Sequence, residues 1–450
     1  MKNIYIISYS VEGIKSIDKE VKLSFYQKTF TKNFDIRDFN VKGIYGTNGA
    51  GKSAIISSVR LLKNLLLNSS YLNSSLVQNQ LHALINRKLG MVKIAVEYIA
   101  LFDDEMRLYN YQVKIEKNKA NRFIISKESL EARNATSHSK RSEEIFRVEN
   151  GSLLTSVKDD FTDQLTDQTK NLLSNTSLIA CWIDRIVLSD YKRPAKSRIW
   201  MNLVLLYLFA NSLYVYLDKE DDHTDFIIRS LADQYETLED AGIEALIRQK
   251  IQLADNQPFE LSAERMFVNK DKIELFEKEV RKLFEFLRIF KHDLQDIQID
   301  HRDIGNDVYQ CSLSIKYSDY AIDAEFESTG IKKLIKLFTY FNKMVNGGIV
   351  FIDEMDSNLH DVYLCALLEY LMEYGNGQLC FTTHNIGPMD ILKRNKLSID
   401  FLSVNHQIYS WKTSGNYSPS KLYRNGMIEG SPFNVYSIDF IGAFQMEGDD

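Results

Sequence analysis

Eight consecutive residues near the amino-terminal end have the types and spacing of a phosphate-binding loop. They read Gly-Thr-Asn-Gly-Ala-Gly-Lys-Ser and comprise Gly46, Thr47, Asn48, Gly49, Ala50, Gly51, Lys52 and Ser53. Glycines let backbone N–H groups turn toward a β-phosphate, the Lys52 ammonium can reach the β and γ oxygens, and the Ser53 hydroxyl can bind Mg²⁺. An apolar run precedes the loop and a helical pattern follows it. The motif therefore predicts binding of a nucleoside triphosphate.

A pair of acids follows a second apolar run far along the chain. The run 347–352 is typical of a buried parallel strand, and it ends in Asp353 and Glu354. An aspartate at such a position can hold Mg²⁺, and the adjacent glutamate can orient or deprotonate a water. A third apolar run, 379–381, ends in Thr382-Thr383-His384. Either run alone also fits an ordinary core strand with a polar end.

A helix start precedes the acid pair. Glu327-Ser328-Thr329-Gly330 opens a stretch with apolar residues at helical spacing, and Ser328 is suited to cap its amino terminus. The free N–H groups of such a terminus can bind an anion, although an ordinary capped helix has the same pattern. The order of the three segments behind a phosphate-binding loop favours the anion-binding interpretation.

Taken together, these segments resemble the ATPase core of the ABC class. The resemblance implies that ATP and Mg²⁺ are the ligands, with Ser53 and Asp353 at the metal and Lys52, Glu354 and His384 in catalysis. It also implies that His384 contacts the γ-phosphate and that Asp356 lies at a dimer contact. The residues that would contact the nucleotide of the other subunit are Ser328 and Gly330. The expected partner is therefore a second copy, in a homodimer or a higher homo-oligomer.

The Glu-Ser-Thr-Gly sequence differs from the signature of transporter ATPases and looks like the SMC/OLD-related branch of soluble ABC ATPases. Both ends of the chain are similar to the ATPase subunits of phage-defence systems of the PARIS, retron-linked and abortive-infection types. This similarity implies a sensor or regulator of a separate effector protein, a toxin or a nuclease. The alternative is a RecF- or SMC-like clamp for DNA repair. A transport ATPase is disfavoured by the signature and by the long segment that separates the motifs.

The elements that must position these residues indicate an α/β fold: a P-loop ABC-type ATPase core with an antiparallel β-meander subdomain and a helical insertion. The predicted division is 1–156 for the first part of the core, 157–300 for the helical insertion and 301–450 for the second part. Alternating runs predict meander strands at 91–101, 106–115 and 123–127, and a hairpin turn at Asn150-Gly151. The apolar run 199–217 predicts a buried helix rather than a membrane span.

Composition limits the remaining possibilities. The chain has 450 residues, 44% of them hydrophobic, and a formal net charge of −6. This balance gives no global field that attracts nucleic acid, although it is compatible with a local basic groove. The four cysteines lack paired spacing and the first residues lack a signal-peptide core, so we expect a cytoplasmic protein without a membrane segment. The basic cluster Lys192, Arg193, Lys196 and Arg198 is a candidate anion contact, with a solvated loop as the simpler interpretation.

Overall fold

The computed structural model describes residues 3–31, 34–102, 105–136, 142–155, 160–188, 197–217, 260–305, 307–395, 397–412 and 417–432. Within these residues, six strands form a central sheet that is parallel except at one edge. In spatial order they are β17 (Ile408–Ser410), β16 (Ile399–Leu402), β3 (Val41–Gly46), β15 (Gln378–Thr382), β14 (Ile349–Ile352) and β9 (Leu213–Tyr216).

The middle strands of this sheet are buried along their whole length. Every residue of β3, β14, β15 and β16 is buried, as expected for parallel strands covered on both faces. Because neighbouring strands run in the same direction, β3, β14 and β15 end at one edge of the sheet. The segments that follow them are the phosphate-binding loop, the acid pair and the segment of His384. This edge is where ligands bind in open α/β sheets.

A large antiparallel sheet lies beside the central one. Its strands in the described part of the chain are, in spatial order, β2 (Val21–Ser24), β1 (Asn3–Glu12), β4 (Met91–Phe102), β5 (Glu105–Lys117), β6 (Phe123–Asn134), β7 (Glu143–Glu149) and β8 (Ser152–Leu154). The predicted meander strands correspond to β4, β5 and β6. The predicted hairpin turn is also present, because Asn150 and Gly151 have φ values of +52° and +78°.

Helices cover both sheets. Those in the described residues are α1 (Lys52–Leu67), α2 (Ser75–Leu84), α3 (Asp160–Thr169), α4 (Leu178–Leu188), α5 (Arg198–Ser212), α6 (Ile273–Phe290), α7 (Thr329–Val345), α8 (Asp361–Tyr374), α9 (Met389–Leu392) and α10 (Pro419–Arg424). Helices α1, α4 and α5 share one hydrophobic core with the antiparallel sheet. Helix α7 packs on β14, so its start is held close to the acid pair.

A third, smaller sheet packs against α6 and the first half of α7. Its strands are β10 (Met266–Asn269), β11 (Leu294–Asp303), β12 (Val308–Tyr317) and β13 (Ala321–Asp323), and β12 pairs with the others. The core of this unit includes Phe276, Leu283, Leu313 and Leu334. It anchors the segment that leads into Ser328.

Within 157–300, the described residues form helices and also short strands, among them β9 and β10. The apolar run 199–217 is a helix only as far as Ser212, whose hydroxyl donates to the Leu208 carbonyl at 2.6 Å. The four residues after it, Leu-Tyr-Val-Tyr, suit a strand and pair in parallel with β14 as β9. This strand is therefore part of the central sheet. The boundaries at 156 and 300 stay predictions.

Two further expectations concern the same region. The basic residues Lys192, Arg193 and Lys196 lie outside the described residues, as does the side chain of Arg198. The run 199–217 was the longest apolar stretch of the sequence. Among the residues that the structure describes, no helix has both the length and the apolar character needed to cross a bilayer.

Candidate nucleotide-binding site

The phosphate-binding loop connects β3 to α1 with the backbone that its glycines require. Gly49 and Gly51 have φ values of +77° and +106°, in the left-handed region that other residues rarely adopt. A Cβ added to Gly51 would lie 2.9 Å from the side chain of Ile17, so this glycine is also needed for close packing. Helix α1 begins at Lys52 without a side-chain cap. Its first N–H groups are thus available to an anion.

The Lys52 ammonium lies inside the loop. Its Nζ donates to the carbonyl oxygens of Gly46 at 2.9 Å and Thr47 at 3.2 Å. Burial lowers the pKa of Lys52, while the nearby carboxylates of Asp353, Glu354 and Asp356 oppose that shift. The lysine and the acid pair therefore belong to one electrostatic site, although they are far apart in the sequence.

The acid pair lies immediately beyond β14, and a threonine from the neighbouring strand holds it. Asp353 is buried, and its Oδ1 accepts a hydrogen bond from the Thr382 hydroxyl at 2.5 Å. The same hydroxyl accepts the backbone N–H of Glu354 at 2.9 Å. Glu354 itself is exposed, and its φ of +45° is unusual for a residue with a long side chain.

A cleft of about 700 Å³ brings the loop, Glu354 of the acid pair and His384 together. Its lining residues are Lys15, Ser16, Asn48, Gly49, Gly51, Lys52, Ser53, Ala54, Glu354 and His384. Lys15 and Ser16 were missed in the sequence analysis. They lie in the turn between β1 and β2, where Lys15 has φ +45° and its N–H donates to the Leu84 carbonyl at 2.7 Å. No short motif marks such a turn, and contacts distant in sequence, with Leu84 and between Ile17 and Gly51, hold it at the cleft.

His384 is positioned by the segment that follows β15. Burial and the neighbouring Lys52 ammonium lower its pKa below the ordinary value of 6.5, against the opposing effect of the carboxylates of Asp356, Glu354 and Asp353. The net effect favours the neutral form of the imidazole. The adjacent Asn385 donates to the Asp361 carboxylate at the start of α8, so the histidine segment is tied to the helix after the acid pair.

The remaining predicted residues lie at the start of α7 and beyond the acid pair. Ser328 is exposed and caps α7, since its Oγ accepts the N–H of Ile331 at 3.4 Å. Gly330 lies against the backbone, because a Cβ added there would lie 2.8 Å from the Asn358 carbonyl oxygen. Asp356 is half-buried in the same segment. Among the described residues, these three are not part of the lining of the cleft around Lys52.

Tyr423 of α10 supports the loop from behind and was not predicted as a site residue. Its side-chain oxygen accepts a hydrogen bond from the backbone of Gly46, and burial raises the pKa of Tyr423 to about 12. Its ring stacks on Phe401, with 5.5 Å between the ring centroids.

In the described part of the chain, the buried Oγ1 of Thr47 has no hydrogen-bond partner. Buried polar atoms without partners are uncommon in native structures, so this atom is a candidate ligand contact.

The donor set fits a nucleoside triphosphate with Mg²⁺. Positive groups are provided by Lys52 and the uncapped start of α1, which suit phosphate oxygens. The hydroxyl of Ser53 and the carboxylate of Asp353 are oxygen ligands of the kind that Mg²⁺ prefers. The predicted phosphate and metal groups thus follow β3 and β14, which end at the same edge of the sheet with β15 between them.

Three neighbouring parallel strands carry the site. The phosphate-binding loop follows β3, the histidine follows β15, and the acid pair follows β14. This arrangement defines a P-loop ATPase domain. Residues 43–390 match the family described as "AAA domain, putative AbiEii toxin, Type IV TA system". The match spans most of the chain, and the protein belongs to this family.

Comparison with curated proteins gave no match. Among solved structures, the chain is similar to an SMC head bound to the C-winged helix domain of ScpA, with 13% identity and a TM-score of 0.44 over 91% of this chain and 98% of that one. It is also similar to an SMC head domain with an extended coiled coil bound to the C-terminal domain of ScpA, derived from Pyrococcus furiosus. There the identity is 14% and the TM-score 0.39, over 91% of this chain and 96% of that one. A third similar structure is the SMC head domain from Thermotoga maritima, with 13% identity and a TM-score of 0.33 over 91% of this chain and 100% of that one.

Proposed function

We propose that this protein hydrolyses ATP, dimerises when ATP binds, and acts as the sensor or regulator of a separate effector in antiphage defence. The observation that carries the enzymatic part is the arrangement around the cleft. Glu354 and His384 line the same cleft as Lys52, and the buried Asp353 carboxylate lies beside Glu354. This combination provides phosphate binding, a metal ligand and a water-orienting base at one sheet edge.

Each side chain has a distinct task in this proposal. Bound ATP supplies the phosphoanhydride bond that is cleaved. Bound Mg²⁺ supplies a divalent positive charge, which the carboxylate of Asp353 would balance in part. Lys52 and the start of α1 hold the phosphate oxygens, and Ser53 holds the metal with Asp353. Glu354 orients and deprotonates the attacking water. His384 forms a hydrogen bond with the γ-phosphate.

The dimer part of the proposal is supported by residues that lie outside the cleft of their own chain. Ser328 is exposed at the start of α7, where N–H groups and the helix dipole favour an anion. In our proposal, Ser328 and Gly330 of one chain contact the γ-phosphate held by the other chain, and Asp356 bridges the two halves. Each complete site then contains residues from both copies.

The regulatory part of the proposal is supported by the family description, which names a toxin and a type IV toxin–antitoxin system. It is also supported by the similarity of both chain ends to ATPase subunits of phage-defence systems. ATP binding would favour the closed dimer and hydrolysis would reopen it, so the nucleotide state could hold or release an effector.

Glu354→Gln is the direct test of the enzymatic proposal. We expect the variant to bind ATP and to form a dimer on a sizing column with light-scattering detection, but to release phosphate at least 10²-fold more slowly than the wild type, as for loss of a general base. Glu274→Gln, an exposed acid in the first turn of α6, is the matched control. Phosphate release by Glu354→Gln at the wild-type rate would refute the assigned role.

Affinity purification of tagged Glu354→Gln from its host tests the regulatory part. We expect a stoichiometric protein partner with toxin or nuclease motifs in the eluate, identified by mass spectrometry. Recovery of DNA without such a partner would refute the effector proposal and favour a DNA clamp. Lys52→Ala, which should not close on ATP, serves as the control for capture that does not depend on the nucleotide.

A further inference from the structure

The backbone of Glu354 is held in an unfavourable conformation. Its φ of +45° lies in the left-handed region, where a residue with a long side chain is rarely found. Such a conformation persists only when surrounding contacts fix it, and residues of this kind are concentrated at functional sites. The contacts that fix Glu354 therefore also control where its carboxylate points.

Two sets of contacts hold the peptide groups of Glu354. Its N–H donates to the Thr382 hydroxyl at 2.9 Å. Its carbonyl oxygen accepts Lys333 Nζ at 2.6 Å, Ser357 Oγ at 3.1 Å and the Ser357 N–H at 3.2 Å. Lys333 also donates to the Ser357 hydroxyl. The ammonium group of Lys333 therefore lies directly against the carbonyl oxygen of Glu354.

Lys333 is fixed by its surroundings as well as by these acceptors. The residue is 5% exposed, and its Nζ lies 5.8 Å from the centre of the Tyr216 ring. A buried ammonium that loses its partners is costly, so Lys333 and the carbonyl of Glu354 should move together. Tyr216 in turn accepts the N–H of Asp353 at 3.0 Å through its carbonyl oxygen.

Lys333 belongs to the helix whose start carries Ser328 and Gly330. It lies one turn after Gly330 in α7, and Gly330 is itself in close contact with the backbone of Asn358. A displacement of the start of α7 would thus be passed to Glu354 by two routes, through Lys333 and through the segment 354–358.

We propose that Lys333 is a positioning residue that makes the orientation of Glu354 depend on the position of Ser328 and Gly330 in the same chain. This inference rests on the proposed function and extends it. Ser328 and Gly330 would contact the nucleotide of the other chain. Binding of that nucleotide therefore determines the orientation of Glu354 in this chain. The two sites of a dimer are then coupled, and hydrolysis depends cooperatively on the ATP concentration.

Lys333→Met and Lys332→Met form a matched pair on one helix. Lys332 is the neighbouring lysine, and its Nζ donates at the surface to the Glu325 carbonyl at 3.3 Å. We expect Lys333→Met to lower kcat on the order of 10²-fold, as for a misplaced catalytic group, with little change in ATP affinity. Its Hill coefficient for ATP should fall to about 1, as expected when coupling between the sites is lost. Lys332→Met should keep the wild-type values, and Lys333→Arg should recover part of kcat.

A second readout does not depend on hydrolysis. Hydrogen–deuterium exchange of the nucleotide-free protein should be faster in the peptide that spans 353–360 for Lys333→Met than for Lys332→Met. In a Glu354→Gln background, Lys333→Met should reduce the residual hydrolysis little further, because Lys333 acts through Glu354. If Lys333 had a purely structural role, Lys333→Met would instead lower the hydrolysis rate by the same factor in the wild-type and Glu354→Gln backgrounds.

The outcomes separate this inference from the proposed function. Equal exchange in the 353–360 peptide and equal kcat for the two lysine variants would overturn the role of Lys333 while leaving the ATPase proposal intact. A wild-type protein that hydrolyses no ATP would refute the proposed function, and the exchange experiment would still decide whether Lys333 holds Glu354. If Lys333→Met does not fold, Lys333→Gln gives the same comparison, since it removes the charge and keeps a polar group.

Discussion

Replacing Thr382 with valine removes the hydroxyl that joins the two acids of the pair. Thr382 is fully buried, and its hydroxyl donates to Asp353 at 2.5 Å and accepts the N–H of Glu354 at 2.9 Å. Valine has nearly the same shape and suits a strand, so packing in β15 changes little. The buried carboxylate and the buried N–H then lose a partner each.

A hydrogen bond to a charged group contributes about 1.5–3 kcal/mol and a neutral one about 0.5–1.5 kcal/mol, so Thr382→Val should lower the free energy of unfolding by about 2–4.5 kcal/mol. Thr382→Ser is the matched control, because it keeps the hydroxyl and removes one methyl group, at a cost of about 1 kcal/mol.

Urea unfolding of the nucleotide-free protein at pH 7.5, followed by circular dichroism, measures the difference between these two variants. Phosphate release, measured in parallel, should fall for Thr382→Val and be largely retained for Thr382→Ser. Only the valine variant loses the hydroxyl that accepts the N–H of Glu354. A valine variant as stable as the serine variant would refute the reasoning, because the bridge would then contribute nothing.

Three further predictions concern other parts of the structure. Lys52→Ala should lose ATP binding in a titration with a fluorescent nucleotide, because it removes the cation of the loop, and wild-type affinity would contradict the assignment. Gly330→Ala should keep ATP binding and lose ATP-dependent dimerisation on a sizing column, since its Cβ would lie 2.8 Å from the Asn358 carbonyl oxygen; the exposed neighbour Thr329→Ala is the control. Burial raises the pKa of Glu128 from 4.5 to about 7, so the folded chain binds more protons than the unfolded chain in this range and its stability should fall as pH rises from 4.5 to 7. Glu128→Gln should flatten this pH dependence in urea unfolding, and an unchanged slope would exclude Glu128 as its source.

Local patterns predicted much of the secondary structure. The strand, loop and helix around Gly46 to Ser53, the meander strands and the turn at Asn150-Gly151 all depend on residues close together in the chain. The mixed α/β fold followed from the order of the motifs. The strand 213–216 was missed because it directly continues an apolar helix, and a short apolar run has no period that separates helix from strand.

The arrangement of the site depends on contacts that no local pattern contains. The Thr382 hydroxyl meets the N–H of Glu354 across 28 residues of sequence, and Lys333 meets the carbonyl of Glu354 across 21. Lys15 lines the cleft because the turn between β1 and β2 packs near Gly51 and is bonded to Leu84. In the sequence, Thr382 and Lys333 are an ordinary strand end and an ordinary helical lysine.

The groups available for chemistry can be identified from residue types alone: a phosphate-binding loop, two acids after an apolar strand, a histidine after another, and a capped helix start. These depend on residue types at fixed short spacing, which local backbone geometry converts directly into structure. How the groups are held depends on long-range packing, because the parallel sheet brings three distant strand ends to one edge. It buries Asp353, and it places the ammonium of Lys333 on the strained backbone of Glu354.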